Sequence, residues 1–387
     1  MYWTFEHNGV TKISWGQPRS IPANEVRNLK ERFDVKVYNG APIEPDDSVL
    51  FSMQGDSTLG FGDSIWLLTF IRAIFAQKGR RRCKFDIATS DVIGEFYSYF
   101  TPPKINYIEE YITFEKFQQY DHTLPAMYYW KDLNEQGQFR GDKSWVAIES
   151  LVERLFNLTG MKYDGLPDFG DFTDQELLYP SGDWYESLDI NQDTKYCFFQ
   201  WHTSGVAKNI AASENIKLIK FITEKLGLQV YIIGKVKGLD KLEEIPGVKN
   251  LSSKTKGLDL VSLAFNAELI VGPDSAGVHL GEAFRVPTVG IFGTLPPHYV
   301  CNKYQIPAFM FGSGFCDNKP CGYTSEMPYD LCPKGKNQKY CQVLSNIDLE
   351  LFERCVEQTF KNRREYLSKE PKDFYKSMKL PILMNHE

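Results

Sequence analysis

No stretch of this sequence approaches the roughly 20 consecutive apolar residues that a membrane-spanning helix needs, so the reading is a soluble protein. The opening residues, MYWTFEHNGVTKISW, lack a basic start followed by an apolar core, which leaves no secretion signal and makes a cytoplasmic enzyme the expectation. Positive charge is not in excess either: the formal net charge is −6, which argues against a whole-molecule field that gathers nucleic acid. The one local basic run is Lys78, Arg80, Arg81, Arg82 and Lys84. It reads as a helix end with cations near the negative dipole pole and Gly79 as the stop. Internal repeats and low-complexity tracts are also missing. What remains is a 387-residue chain, 42% hydrophobic and 24% charged, which are globular values with length enough for two ordinary domains.

Residues 1 to 48 are polar and mixed, with turn signals in GQPRSIP and NGAPIEPDD, and read as an N-terminal extension that carries no chemistry. Alternation begins at Val49 to Met53, a short apolar strand, followed by QGDSTLGFGD and a helix from about Ser64 to Lys78 with Leu67, Ile71, Ile74 and Phe75 on one face. A strand at Cys83 to Ala88 and a helix at Asp91 to Phe100 follow, and AMYYW (126 to 130) and a helix around Trp145 to Leu158 continue the series. The Gly-, Pro- and Asp-rich stretch from about 160 to 194 is the expected boundary. A second alternation runs from Tyr196–Trp201 through a helix with Ile216, Ile219, Ile222 and Leu226 on one side that stops at Gly227. It continues with a strand at Gln229–Ile233 and a helix near Leu258–Ala267. Leu349, Phe352, Val356 and Phe360 give a final helix. Periodicity therefore supports two open α/β domains.

The densest signal is VGPDSAGVHLGEAFRVPTVGIF, residues 271 to 292. A buried strand, a polar turn, a short helix and a second buried strand follow one another in two dozen residues. Asp274 and Ser275 can cap the helix, and the turn leaves backbone amides at the helix N-terminus. There a phosphate is held by hydrogen bonds and the helix dipole. The plainer alternative is that Asp274 and Ser275 are only a cap and Gly277 only a packing position.

The order Asp274-Ser275, then His279, then a small-residue helix and PTVGIFG resembles the sugar-nucleotide motif of glycosyltransferase family nine, the heptosyltransferase-like enzymes. Most members carry Gly directly after the Asp-Ser or Asp-Thr pair; here Ala276 takes that place and Gly277 follows, shifting the expected amide cradle by one residue. The resemblance implies a GT-B fold, two Rossmann-like domains facing an interdomain cleft, with a C-terminal helix crossing back to the first domain. It divides the chain into an extension (1–48), an acceptor domain (49–185), a sugar-nucleotide domain (186–345) with a Cys-rich loop (316–341), and a C-terminal helix and tail (346–387). The donor-binding set it implies is Thr203, Ser204, Lys208, Asp274, Ser275, Ala276, Gly277 and His279. Catalytic roles fall to Asp63 and Lys208.

Two further segments carry the resemblance. In FQWHTSGVAKNI (199 to 210) a hydroxyl pair is followed four residues later by Lys208, matching a family pair and lysine that contact the donor phosphates. The chemistry agrees, because a departing nucleoside diphosphate accumulates negative charge that a positioned ammonium stabilises without a metal. The alternative is one more solvated lysine. His202 reads equally as a structural or a functional histidine. In LGFGDSIW (59 to 66) Gly62-Asp63 matches the family's Gly-Asp at the start of the first helix, whose carboxylate is the proposed base. Asp56 is the rival, and an N-cap is the plain alternative for both.

Of the eight cysteines, Cys83, Cys197 and Cys355 fall on strands or an apolar helix face and read as small hydrophobes. Cys316, Cys321, Cys332 and Cys341 cluster in a Gly-, Pro- and Lys-rich loop, where a structural zinc or iron site, disulfides and free thiols all stand open. A cysteine cluster at this place also resembles the iron-binding segment of autotransporter heptosyltransferases. The expectation from the whole sequence is an inverting, metal-independent glycosyltransferase with no catalytic cofactor. It would move a heptose-like sugar from a nucleotide-diphosphate sugar to a hydroxyl of a glycan, protein or other acceptor. The competing readings are a sugar-nucleotide epimerase of the same fold and a non-catalytic nucleotide-sugar or glycan binding protein.

Overall fold

The structure is a computed structural model that describes residues 2–7, 10–15, 46–52, 84–88, 105–108, 119–125, 187–191, 193–203, 205, 208–255, 257–284, 286–294, 297, 308–314, 316 and 341–369. The chain divides into two compact units, one formed by 1–140, 152–178 and 375–387 and the other by 141–151 and 179–374.

In the first unit, β1 (Tyr2–His7) and β2 (Val10–Trp15) form an antiparallel hairpin with Tyr2 opposite Trp15 and His7 opposite Val10. The stretch read above as a plain extension therefore contains ordered strands. The sequence between them is Asn8-Gly9, the strongest short hairpin signal, flanked by aromatic and β-branched residues. A separate four-stranded parallel sheet follows, built from β3 (Ser48–Ser52), β4 (Lys84–Ala88), β5 (Ile105–Ile108) and β6 (His122–Pro125) in the order β5-β4-β3-β6. Val49, Leu50 and Ile87 are buried, as parallel strands covered on both faces require. Asp121 fixes the start of β3, accepting bonds from the Ser48 amide and hydroxyl at 2.9 and 2.7 Å. The expected strand at 126–130 lies outside the described residues; the strand that pairs with β3 is β6, immediately before it. The helices read at 64–78, 91–100 and 145–158 also lie outside them.

The second unit is a six-stranded parallel sheet. Its strands are β7 (Tyr196–Gln200), β8 (Gln229–Ile233), β9 (Val248–Asn250), β10 (Leu269–Pro273), β11 (Thr288–Phe292) and β12 (Ala308–Phe311). Their order is β12-β11-β10-β7-β8-β9, with every pair parallel. Counted from β7, this is the 3-2-1-4-5-6 order of dinucleotide-binding sheets, and strand order reverses between β7 and β10. Among the described residues, helices α1 (Ala212–Lys225), α2 (Gly257–Phe265), α3 (Ala276–Phe284) and α4 (Leu349–Lys369) belong to the same unit.

Alternation along β7 splits the core. Cys197, Phe199 and Trp201 join Leu218, Ile219 and Ile222 of α1 and Phe352 and Val356 of α4 in one apolar cluster. Tyr196 and Phe198 face the other way: the Tyr196 hydroxyl donates to the Leu263 carbonyl of α2, and Phe198 lies under α3. Helix α1 ends where the sequence places its stop, with Gly227 in the left-handed region at φ +65°. Cys197 and Cys355 are buried, and burial pushes both thiols up, the state of inert packing residues.

Beyond β12 the chain is pinned to the segment before α4. Ser313 donates to the Asn346 carbonyl at 2.7 Å and Gly314 to the Val343 carbonyl at 2.9 Å. A Cβ on Gly312 or Gly314 would lie 2.1 Å from the Val343 oxygen or 1.8 Å from that of Gln342, so only glycine permits this approach.

Candidate active site

Open parallel sheets bind ligands beyond the carboxyl ends of their strands, at the point where strand order reverses. Here that point lies between the ends of β7 and β10, where Lys208, Asp274, Ser275, Gly277 and His279 come together. After Pro273 the chain turns through Asp274 and Ser275 into α3, with Val278 and His279 donating back to the Ser275 carbonyl at 3.0 and 3.4 Å. From β7 the chain runs through His202 and Thr203 to Lys208.

The Lys208 ammonium reaches Asp274, with Nζ 2.8 Å from Oδ2, and the side chains are 19% and 5% exposed. Two residues far apart in sequence thus form a largely buried ion pair at the switch point. Asp274 Oδ1 faces His279 Nε2 at 3.8 Å. Burial pushes the His279 imidazole down to about 4; the Asp274 carboxylate works against that shift and the Lys208 charge with it. His279 is therefore neutral at pH 7. His202 is half-buried, and burial lowers its imidazole as well.

The amides of the turn are not equivalent. The Gly277 amide donates to Gln200 Oε1 at 2.7 Å, so this member of the expected cradle is already committed within the protein. Among the described residues no hydrogen bond from the Ser275 or Ala276 amides is found. Gly277 is also a packing glycine, since a Cβ there would meet Gln200 Oε1 and Phe198 at 2.8 Å.

Thr203 is hydrogen-bonded within its own loop. Its hydroxyl donates to the Gly205 carbonyl at 2.8 Å and accepts from the Gly205 amide at 3.0 Å, while its own amide donates to Asn209 Oδ1 at 2.8 Å. Buried and bonded in this way, Thr203 shapes the loop that carries Lys208. Ser204, Gly62, Asp63 and Asp56 lie outside the described residues, as do Cys321 and Cys332. Cys316 and Cys341 are half-buried. Among the described residues no group of three or more His, Cys, Asp or Glu side chains gathers in metal-binding geometry, and no helix is long and apolar enough to cross a membrane.

Residues 143–305, which span the β7 end, Lys208 and the whole Asp274–Phe292 segment, match the family model of Glycosyltransferase family 9 (heptosyltransferase). That stretch is similar to a glycosyltransferase family 9 domain. No curated protein matches the chain. Among solved structures, the family 9 glycosyl transferase of Veillonella parvula DSM 2008 is 13% identical and superimposes with a TM-score of 0.55, covering 84% of this chain and 99% of that one. The iron-containing dodecameric glycosyltransferase TibC of enterotoxigenic E. coli H10407 is 17% identical, with a TM-score of 0.53 over 93% of this chain and 86% of that one. TibC has also been solved in complex with ADP-D-beta-D-heptose; that structure is 15% identical to the chain, with a TM-score of 0.52 over 92% of this chain and 83% of that one. These likenesses show the fold, which is GT-B. The protein is a glycosyltransferase.

One residue of the site goes unmarked in the sequence reading. Gln200 ends the fully buried run YCFFQ, is 8% exposed, and bonds to both Ser275 and Gly277. The available signal was a carboxamide closing an otherwise apolar strand. Such a group is stable there only when polar partners meet it.

Proposed function

We propose that the protein is an inverting, metal-independent glycosyltransferase that moves a heptose-like sugar from a nucleotide-diphosphate sugar to a hydroxyl acceptor on a glycan, protein or other molecule. The observation that carries this reading is the Lys208–Asp274 pair beside the N-terminus of α3 at the strand-order switch point. The carboxylate fixes the ammonium in place beside the turn amides and the helix dipole, where it can meet the charge that develops on a departing nucleoside diphosphate. In this reading Lys208, Ser275 and the Ser275 and Ala276 amides meet the phosphates, and Asp274 and His279 face the sugar side. Ser204 adds a hydroxyl.

The reaction is a single displacement. The acceptor oxygen attacks the anomeric carbon as the carbon–oxygen bond to phosphate breaks, the diphosphate leaves with the bonding electrons, and the acceptor proton passes to Asp63 acting as base. Support for Asp63 is its Gly-Asp context after β3, the strand at which order reverses in the first sheet. Iron or zinc held by Cys316, Cys321, Cys332 and Cys341 would be structural. Its support is four thiols as donors and the pinning of 312–314 to 343–346, which brings both ends of the loop to one neck.

A panel of sugar nucleotides, ADP-heptose among them, tests the reading by thermal stabilisation and slow donor hydrolysis, since a bound ligand raises stability by mass action. Lys208→Ala should lower the rate by about 30- to 1000-fold per folded molecule. Asp63→Asn should lower transfer about a hundredfold or more with donor binding retained. Epimerised donor in place of free nucleotide, or wild-type rates in both variants, would overturn the proposal.

A further inference from the structure

The Gln200 side chain is held on all its polar atoms. Oε1 accepts from the Gly277 amide at 2.7 Å, and Nε2 donates to Ser275 Oγ at 2.6 Å and to the His202 carbonyl at 3.3 Å. The orientation of the carboxamide follows from chemistry, because a backbone N–H can only donate and must face the oxygen. Nitrogen therefore faces Ser275. Two glycines make room for this side chain: a Cβ on Gly272 would lie 2.9 Å from Gln200 Cβ, and one on Gly277 would lie 2.8 Å from Oε1. The end of β7, the end of β10 and the start of α3 are thus fitted around one glutamine.

A serine hydroxyl has one hydrogen and two lone pairs. With a lone pair engaged by Nε2, its hydrogen is left for an acceptor outside the clamp. A phosphate oxygen is acceptor-only and matches that hydrogen. We propose that Gln200 is a positioning residue for the donor diphosphate. It polarises Ser275 so that the hydroxyl presents as a donor, and by occupying the Gly277 amide it confines phosphate binding to the Ser275 and Ala276 amides. The inference rests on the donor-site reading of this turn.

The test is titration calorimetry of the full chain with ADP, UDP and GDP, alongside thermal unfolding. Gln200→Glu keeps the acceptor for the Gly277 amide and the side-chain length but cannot donate to Ser275. It should fold and bind nucleoside diphosphate about tenfold or more weakly, the order of one lost hydrogen bond. Because the added charge also repels phosphate, a neutral cycle decides the mechanism. Gln200→Met and Ser275→Ala should each weaken binding, and the double variant should be no weaker than the worse single, since both remove one donor. A residue that merely supports the fold would lower stability and add independently to Ser275→Ala. Full additivity, or wild-type affinity in Gln200→Glu, overturns the inference while the donor site stands. A wild-type chain that binds none of the three overturns the donor reading and this inference with it.

Discussion

At the scale of single residues, His279 ties the site to pH. Its folded value of about 4 lies below the ordinary 6.5, so between these values the unfolded chain binds a proton that the folded chain refuses. Stability therefore falls as pH drops from about 6.5 to about 4 and is insensitive to this group above that window; the full loss is about 3 kcal/mol. His279→Gln should flatten that limb, measured as the difference in urea midpoint between pH 7 and pH 5. An equal slope in both proteins would show that other groups govern it. His279 and Asp274 were legible in the sequence because they sit in one short motif. The Lys208–Asp274 pair was not, since its partners are joined only by the β7–β10 pairing across the sheet. Gln200 escaped for the same reason: its three partners lie on two strand ends and a helix.

At the scale of elements, α3 sits on the sheet through glycine. Gly277 and Gly281 fall one helical turn apart on its inner face, and a Cβ on Gly281 would lie 2.0 Å from Thr288 Oγ1 and 3.1 Å from Ile270 Cδ1. Thr288 cannot yield freely, because its hydroxyl donates to the Val286 carbonyl and its amide to Thr359. Gly281→Ala gains helix propensity of about 1 kcal/mol but overpacks by about 1–3 kcal/mol, so a net loss of stability of up to about 2 kcal/mol is expected, read from the denaturation midpoint. An unchanged midpoint would mean that α3 lifts off without penalty. The buried strands were legible as continuous apolar runs, and β8 falls where the sequence places it, at Gln229–Ile233. The hairpin of β1 and β2 was not read, because its mixed polar residues mask the Asn-Gly turn between them.

At the scale of the whole molecule, alternating elements gave two α/β units from the sequence, while the strand order 3-2-1-4-5-6 depends on pairings that no local pattern encodes. The cysteine loop supplies the prediction that belongs here. Purified protein should contain near-stoichiometric zinc or iron, and Ser replacement of Cys316 and Cys341 together should abolish it. Metal-free wild-type protein by elemental analysis would remove the site. The pinning of Gly312 to Gly314 against Gln342 to Asn346 carries one more consequence. The backbone closes before either of these cysteines is reached, so the segments just before Cys316 and just after Cys341 form a single doorway. The loop-closure entropy is already met at that doorway. Evolution can lengthen, shorten or exchange the insert there, and a short Gly-Ser graft in its place should leave β12 and α4 folded as they are.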